Sequence, residues 1–203
     1  MNSSQKIFVF KEEFPLIGST VLYFQREQSV GEFMLMSIES YLQVKEELQQ
    51  EKNKIYRFIP KTEKFSNCKK AVEQLQEYLR GSRQNFTLKF KIQGSDFARD
   101  VYRQLCQVDY GSTISYGELA ERAGYSGAAR AVGQALNKNP LPLIVPCHRV
   151  ITSSGEIGGF GWGSRIKSRL LKLESQGKKT DQGKKNAPIR GNRGQVLTEI
   201  SVR

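Results

Sequence analysis

The chain has 203 residues, with 32 Lys and Arg against 20 Asp and Glu, for a formal charge of +12. It is long enough to bury a core without disulfides or metal, and its charge points to a polyanionic partner such as nucleic acid. Three widely spaced cysteines (Cys68, Cys106, Cys147), one histidine and no CxxC exclude a disulfide framework and a structural zinc site, and no apolar run nears the roughly 18 residues of a membrane span.

No basic segment followed by an apolar one opens the sequence, so an intracellular, reducing setting is expected. Ile7 to Phe10, Thr20 to Phe24 and Phe86 to Ile92 are rich in β-branched and aromatic residues and are interrupted by Pro15, Gly18 and Gly31, which predicts strands. Among them, Val72, Leu75 and Leu79 recur at helical spacing, with Gly81 where a C-terminal cap belongs. Gln49 to Lys64 reads as a polar connection. Residues 1–92 are therefore expected to form a small N-terminal α/β domain with little chemistry of its own.

From Ser95 the texture becomes mostly helical, and residues 93–175 are expected to form a second domain, giving a mixed α+β chain. In SDFARDVYRQLCQV, Phe97, Val101, Leu105 and Val108 line one face behind a Ser95 cap, and Cys106 sits inside as a small hydrophobe. Ser115-Tyr116-Gly117-Glu118 satisfies the capping-box pattern and opens a helix to about Ala123, which Gly124 ends. Ser126 is placed to cap a further helix from about Gly127 to Leu136. Two short helices joined by a glycine-containing turn predict a helix-turn-helix.

In the second helix, ARAVGQAL, nearly every side chain except Arg130 and Gln134 is small or apolar. Ala129 and Gly133, four apart, present a smooth surface that a partner's backbone can approach closely. A major-groove reader offers several long polar side chains, and this helix does not. A lone Arg130 suits insertion into a minor groove or a vacated base stack, although an ordinary packed helix with a solvated arginine fits the same residues.

LPLIVPCHRV then sets Cys147 beside the sole histidine, His148. A thiol is a nucleophile only as thiolate, and an imidazole held by a carboxylate can favour that form. On the dipeptide alone, a buried structural cysteine followed by a satisfied histidine is the better fit. Around it, Asn139-Pro140 and Pro142 break the helix and predict an extended apolar segment, stiffened by Pro146 before the thiol. Downstream, five glycines fall between Gly155 and Gly163, as in a loop whose backbone lies close to a ligand. In SRIKSRLLKLE, Ile166, Leu170 and Glu174 share one face, so Glu174 continues an inward apolar stripe and needs a partner, for which His148 is a candidate. Residues 176–203 carry seven basic and two acidic residues and read as a flexible basic tail.

PCHRV around Cys147, ARAVG around Arg130, Asn139-Pro140, SYGELA around Tyr116, the glycine-rich loop and the closing LLKLE give Phe97 to Glu174 a close resemblance to the O6-alkylguanine-DNA alkyltransferases, the methylated-DNA-protein-cysteine methyltransferases. The first 90 residues resemble that family in size and α/β character, as suits its divergent ribonuclease-H-like first domain. The second domain would be its winged-helix-like alkyltransferase unit. The resemblance implies DNA repair by direct reversal: an alkylated guanine is flipped out of duplex DNA, and its alkyl group moves once, irreversibly, from O6 to Cys147, with O4-alkylthymine as a further substrate.

By matched positions, His148 would take the thiol proton through a water, Glu174 would hold the imidazole, and Asn139 would support the geometry around the thiol. Tyr116 would contact the flipped base and the rotated phosphate and polarise the departing guanine. Arg130 would fill the vacancy in the stack, on a DNA face shared with Ala129, Gly133 and Gln134. Phe160 would line the base pocket with Tyr116, while backbone groups near Cys147, Val150 and Gly161 recognise the guanine edge. No cofactor and no metal are implied. The implied partner is double-stranded DNA carrying O6-alkylguanine, bound by a monomer in the cytoplasm or nucleus, with cooperativity on DNA left open.

Two departures stand out. Phe160-Gly161 replaces the Tyr-Ser of some relatives, which implies a roomier pocket, and the N-terminal zinc ligands of some relatives are missing. A non-catalytic, alkyltransferase-like lesion binder is the alternative from a different class, but its usual mark is loss of the cysteine that this chain keeps as Cys147. A winged-helix transcription factor lacks the base-reading side chains here, and a cysteine hydrolase leaves the basic helix-turn-helix without a reason.

Overall fold

Apolar and aromatic residues build four strands, β1 (Gln5–Phe14), β2 (Ser19–Arg26), β3 (Phe33–Ser37) and β4 (Lys54–Phe58), in a sheet of order β3-β2-β1-β4. The computed structural model describes residues 5–14, 19–26, 33–37, 54–58, 66–88 and 94–183, with side chains over 70–88 and 94–177. β1 pairs antiparallel with β2 from Phe14↔Ser19 to Ile7↔Arg26, β2 pairs antiparallel with β3, and β4 lies parallel to the other edge of β1. The two N-terminal strands read from the sequence are present and longer than expected. Two strands are corrections: β3, rich in Met and Leu rather than β-branched residues, was not foreseen, and β4 occupies the middle of the segment read as a polar connection.

The helix expected near Val72 is α1 (Ser66–Leu79), which packs against β1. Gly81 adopts φ +77° and ends it, with the Gly81 and Ser82 N–H groups donating to the Tyr78 and Glu77 carbonyls at 2.9 Å. The strand expected from Phe86 does not begin there. Phe86–Leu88 is irregular because buried Gln74 takes the ladder's place, accepting the Thr87 N–H and donating to the Thr87 hydroxyl, each at 2.8 Å. Residues 89–92 lie outside the described residues.

Ser95 caps α2 (Asp96–Leu105) by accepting the Ala98 N–H, and Cys106 is its C-terminal cap. Val101 and Leu105 are buried in full, Phe97 only in part, and Val108 lies beyond the helix end. The capping box forms as read: Ser115 Oγ accepts the Glu118 N–H at 3.1 Å, and Glu118 accepts the Ser115 N–H at 2.8 Å, opening α3 (Tyr116–Arg122). The second helix, α4 (Ala129–Asn137), starts later than expected and carries no side-chain cap. Gly127, at φ +78°, turns the chain just after Ser126, leaving that serine too early to reach the first helical N–H groups. Buried Tyr102 donates to the Ala135 carbonyl at 2.6 Å and so fastens α2 to α4.

The segment after Asn139 is not extended. Leu143 has φ 75° and the Val145 N–H bonds the Leu141 carbonyl at 2.8 Å, closing a tight turn that feeds a single 3-10 turn at Cys147–Arg149. Beyond it β6 (Val150–Ile151) pairs in parallel with β5 (Ile114–Ser115). The last helix, α5 (Ser164–Gly183), runs past Ser175, which corrects the first part of the expected tail. Gly177 permits this, because a Cβ there would come within 3.0 Å of the Tyr110 ring. Residues 184–203 lie outside the described residues.

Buried residues from both sides of residue 92 pack together. Ala71, Val72, Leu75, Tyr78 and Leu79 of α1 join one buried cluster with Val101, Leu105, Leu119, Val132, Val145 and Leu170. Each such fully buried aliphatic side chain contributes about 1.5–3 kcal/mol from removal of apolar surface. Among the described residues no helix is long and apolar enough to cross a membrane. The Ser115 cap is the local lock that aims Tyr116, so Ser115→Ala is expected to cost about 1 kcal/mol of unfolding free energy in urea titration. A variant as stable as the parent would contradict that role for the cap.

Candidate active site

Tyr116 is the first residue of α3, and β5 just before it pairs with β6 just after the Cys147 turn. The two-residue ladder Ile114↔Val150 and Ser115↔Ile151 thus carries the tyrosine to the thiol across some thirty residues of sequence. Asn139 ties the other side. Its amide oxygen accepts the Leu141 N–H at 3.0 Å, while Nδ2 donates to the Val145 carbonyl at 2.8 Å and reaches Cys147 Sγ at 3.0 Å. One side chain therefore both shapes the turn and touches the thiol it delivers.

Cys147 is 6% exposed and opens into a cavity of about 490 Å³, a size suited to a small organic group. Tyr116, Phe160, Gly159 and Gly161 form one wall, and Ala129, Arg130, Gly133, Gln134, Leu136 and Asn137 of α4 form the other. A Cβ on Gly133 would rest in ordinary contact with the Tyr116 ring at 3.7 Å. At Gly158, with φ +67°, a Cβ would meet the Tyr116 hydroxyl at 3.3 Å. A Cβ on Gly161 would meet nothing within 4 Å, so the position that is serine in some relatives borders open space.

Behind the thiol lies a buried polar cluster. Glu174, fully buried on α5, receives the Tyr78 hydroxyl at 2.5 Å, His148 Nε2 at 2.8 Å and Arg149 Nη2 at 3.0 Å on Oε1. Arg149 Nε reaches both carboxylate oxygens at 3.1 Å, and the Gly111 N–H donates to Oε2 at 2.8 Å. Arg149 also donates to the Val108 carbonyl at 2.5 Å and lies over the Tyr110 ring. Both Glu174 oxygens are thus saturated by donors, which lets a carboxylate stay charged in a dry interior.

Burial by itself raises the Glu174 carboxyl, but the His148 and Arg149 hydrogen bonds and charges outweigh it and bring the group down to about 2. Burial depresses His148 below 6.5 despite the Glu174 carboxylate, so the imidazole rests neutral. Burial pushes the Cys147 thiol up to about 11, against the Asn139 hydrogen bond and the Lys167 charge. The resting pair is a neutral thiol beside a neutral imidazole. His148 Nδ1 is buried with no hydrogen-bonding protein group, whereas Nε2 faces Glu174.

Of the residues singled out in the sequence, the structure gathers Cys147, Tyr116, Phe160, Gly161, Ala129, Arg130, Gly133 and Gln134 around one cavity, with Arg130 exposed. His148, Glu174 and Asn139 stand behind it. Val150, read as lending its backbone to the base pocket, has a fully buried side chain, and its carbonyl accepts Lys167 Nζ at 2.5 Å. Lys167, Arg149 and Tyr78 were missed. Lys167 is fully buried, also donates to the Gly159 carbonyl at 3.1 Å and lies 5.9 Å from the Tyr116 ring centre, so it fastens the glycine-rich loop to β6. PCHRV and the helical stripe offered a signal for Arg149 but none for the other two. Among the described residues no three His, Cys, Asp or Glu side chains cluster as metal ligands.

Two short helices, α3 and α4, thus flank a cavity onto which a buried thiol opens. Residues 96–176 match the 6-O-methylguanine DNA methyltransferase, DNA binding domain. A methylated-DNA--protein-cysteine methyltransferase of Mycolicibacterium paratuberculosis is 50% identical over 104 residues, 51% of this chain and 63% of the relative, and one of Methanosarcina barkeri is 45% identical over 52% of this chain and 67% of the relative. The crystal structure of Mycobacterium tuberculosis O6-methylguanine methyltransferase superposes with a TM-score of 0.69 at 31% identity, covering 84% of this chain and 93% of that one. A structure of the M. tuberculosis OGT in complex with DNA gives 0.67. The chain belongs to the methylated-DNA--protein-cysteine methyltransferase family, and it spans about 63% of the length of the curated relative first described here.

Both His148 and Glu174 have folded pKa values below their unfolded ones, so their contributions are complete above the unfolded values and are lost on acidification. Unfolding free energy is expected to fall as pH drops below about 6.5, through the only histidine, and further below about 4.5, through Glu174. Urea titrations at pH 7.5, 5.5 and 4.0 measure this, and a protein more stable at pH 5.5 than at 7.5 would contradict the neutral buried imidazole.

Proposed function

We propose that this chain repairs duplex DNA by moving the alkyl group of O6-alkylguanine, and of O4-alkylthymine, onto Cys147. The observation that carries the reading is a buried thiol at the floor of a cavity walled by an exposed-arginine helix, backed by an imidazole and a charged carboxylate. In this reading α4 enters the groove with its small-residue face, Arg130 takes the place of the flipped base, and the base enters the cavity against Phe160 and Tyr116. Flipping costs a few kcal/mol, which an inserted arginine and phosphate contacts offset. The charge of +12 supplies the sequence-independent part of the attraction.

The thiol proton leaves for His148 Nδ1 through a bridging water, while Nε2 keeps its own proton on Glu174. The thiolate attacks the alkyl carbon opposite the C–O6 bond. The C–S bond forms as the C–O6 bond breaks, the electron pair passes to the guanine, and the base takes up a proton, with the Tyr116 hydroxyl as nearest donor and the imidazolium restoring it through solvent. Atoms balance without a cofactor. The product thioether has no hydrolytic exit, so each molecule acts once.

The resting state fits a single-use reagent. A thiol raised to about 11 is almost wholly protonated at neutral pH, so adventitious electrophiles meet little thiolate. The finer architecture is part of the same proposal: the sheet with α1 is read as a ribonuclease-H-like unit, and α2 to α4 with the β5–β6 pair as a winged-helix-like unit that acts as a monomer inside the cell.

Intact-mass measurement after incubation with duplex DNA carrying one O6-methylguanine tests the reading, with peptide mapping and Cys147→Ala as control. One added methyl per molecule, mapped to Cys147 and matched by loss of the lesion, is expected. Tight binding to the lesion with no change in mass would overturn transfer in favour of lesion sensing.

A further inference from the structure

We infer that Tyr78, delivered by α1, is a positioning residue of the acceptor site, whose hydroxyl bridges Glu174 and His148 and, together with Glu174, holds the imidazole proton on Nε2. This rests on the reading of His148 as the base, and it adds a residue from outside the matched segment 96–176. Tyr78 is fully buried. Its oxygen lies 2.5 Å from Glu174 Oε1 and 3.1 Å from His148 Nε2, while Nε2 and Oε1 are 2.8 Å apart, so the three atoms close a triangle.

A phenol has one proton to give. Glu174, kept charged by the two-point contact with Arg149, is the stronger acceptor and takes it. The tyrosine oxygen then offers only lone pairs toward Nε2, and so does Oε1. With acceptors on both sides, Nε2 must carry hydrogen, and the lone pair is confined to Nδ1, the nitrogen free of protein partners. The opposite tautomer would set the Nε2 lone pair against a carboxylate and an N–H where no protein acceptor waits.

The other charged and titratable groups around the imidazole do not replace this hydroxyl. Arg149 on the same turn and Lys167 on α5 are cations without acceptors, Cys147 is the preceding residue, and Tyr110 meets the Tyr78 ring edge-on at 5.9 Å without bonding His148. Burial and then the Glu174 charge push the Tyr78 hydroxyl well above 10, so it remains a donor throughout the working range. Its ring stays packed on Phe86 and Tyr110, which makes Tyr78→Phe a removal of one oxygen.

The single histidine makes the test direct, because every imidazole nitrogen signal belongs to His148. Long-range 15N–1H spectra of the full chain without DNA, recorded across pH, report tautomer and titration together. The parent is expected to show one neutral tautomer, protonated on Nε2. Tyr78→Phe is expected to keep Nε2 protonated through Glu174 but to raise the imidazole pKa, since Glu174 loses a donor and its charge bears more fully on the ring. Transfer from an O6-methylguanine duplex should slow by about tenfold, with its acid limb moved to higher pH and duplex affinity unchanged. Parental spectra protonated on Nδ1 would overturn the inference without any variant, as would a folded Tyr78→Phe with parental titration. The expected spectral change in a protein that transfers no methyl would uphold Tyr78 and overturn the repair reading instead.

Discussion

A single carboxylate, Glu174, is the point on which the site converges. It is fully buried, and its two oxygens receive donors from α1 through Tyr78, from the loop after α2 through the Gly111 N–H, and from the 3-10 turn through His148 and Arg149. An ionised group in such a place is tolerated only because every lone pair is engaged. The converse also holds: three segments far apart in sequence are held against α5 because each supplies at least one donor. The acid–base pair and the packing of α1 onto the second unit are consequences of the same contact.

This arrangement separates two demands that conflict in a reactive cysteine. A thiolate in solution is a good nucleophile and a poor keeper of its own reactivity. Here burial holds the thiol protonated, while the Asn139 amide, 3.0 Å from Sγ, is the donor an anion there would need. In the proposed transfer, charge appears only when a bound alkyl carbon can consume it. The cavity walls repeat that economy at a larger scale, since Gly158 is small where the Tyr116 hydroxyl lies close and Gly161 borders open space.

Much of this was legible from residue types at local spacing. The Ser115–Glu118 capping box, the α5 stripe ending in Glu174 and the small face of α4 are patterns within one or two helical turns, and the fold realises each. Contacts that depend on tertiary placement were not. Tyr78 reads as one more apolar position of α1, and Lys167 reads as a surface lysine until the Val150 and Gly159 carbonyls close around it. β4 was missed because KIYRF carries two cations in five residues, and the irregular course of Phe86–Leu88 follows from a side-chain amide that intercepts a backbone pair. The Leu141–Val145 turn was mistaken for an extended run because its staple, Asn139, acts through a side chain rather than through backbone propensity.

The measurement that bears most directly on this account is the unfolding free energy of Glu174→Gln beside the parent at pH 7.5. The substitution keeps the shape and removes the charge, leaving Arg149 buried without its counter-ion. A loss of about 3–5 kcal/mol is predicted, the cost of an uncompensated buried charge. A variant within about 1 kcal/mol of the parent would contradict the claim, since contributions of that size are typical of exposed ion pairs and not of an organising one.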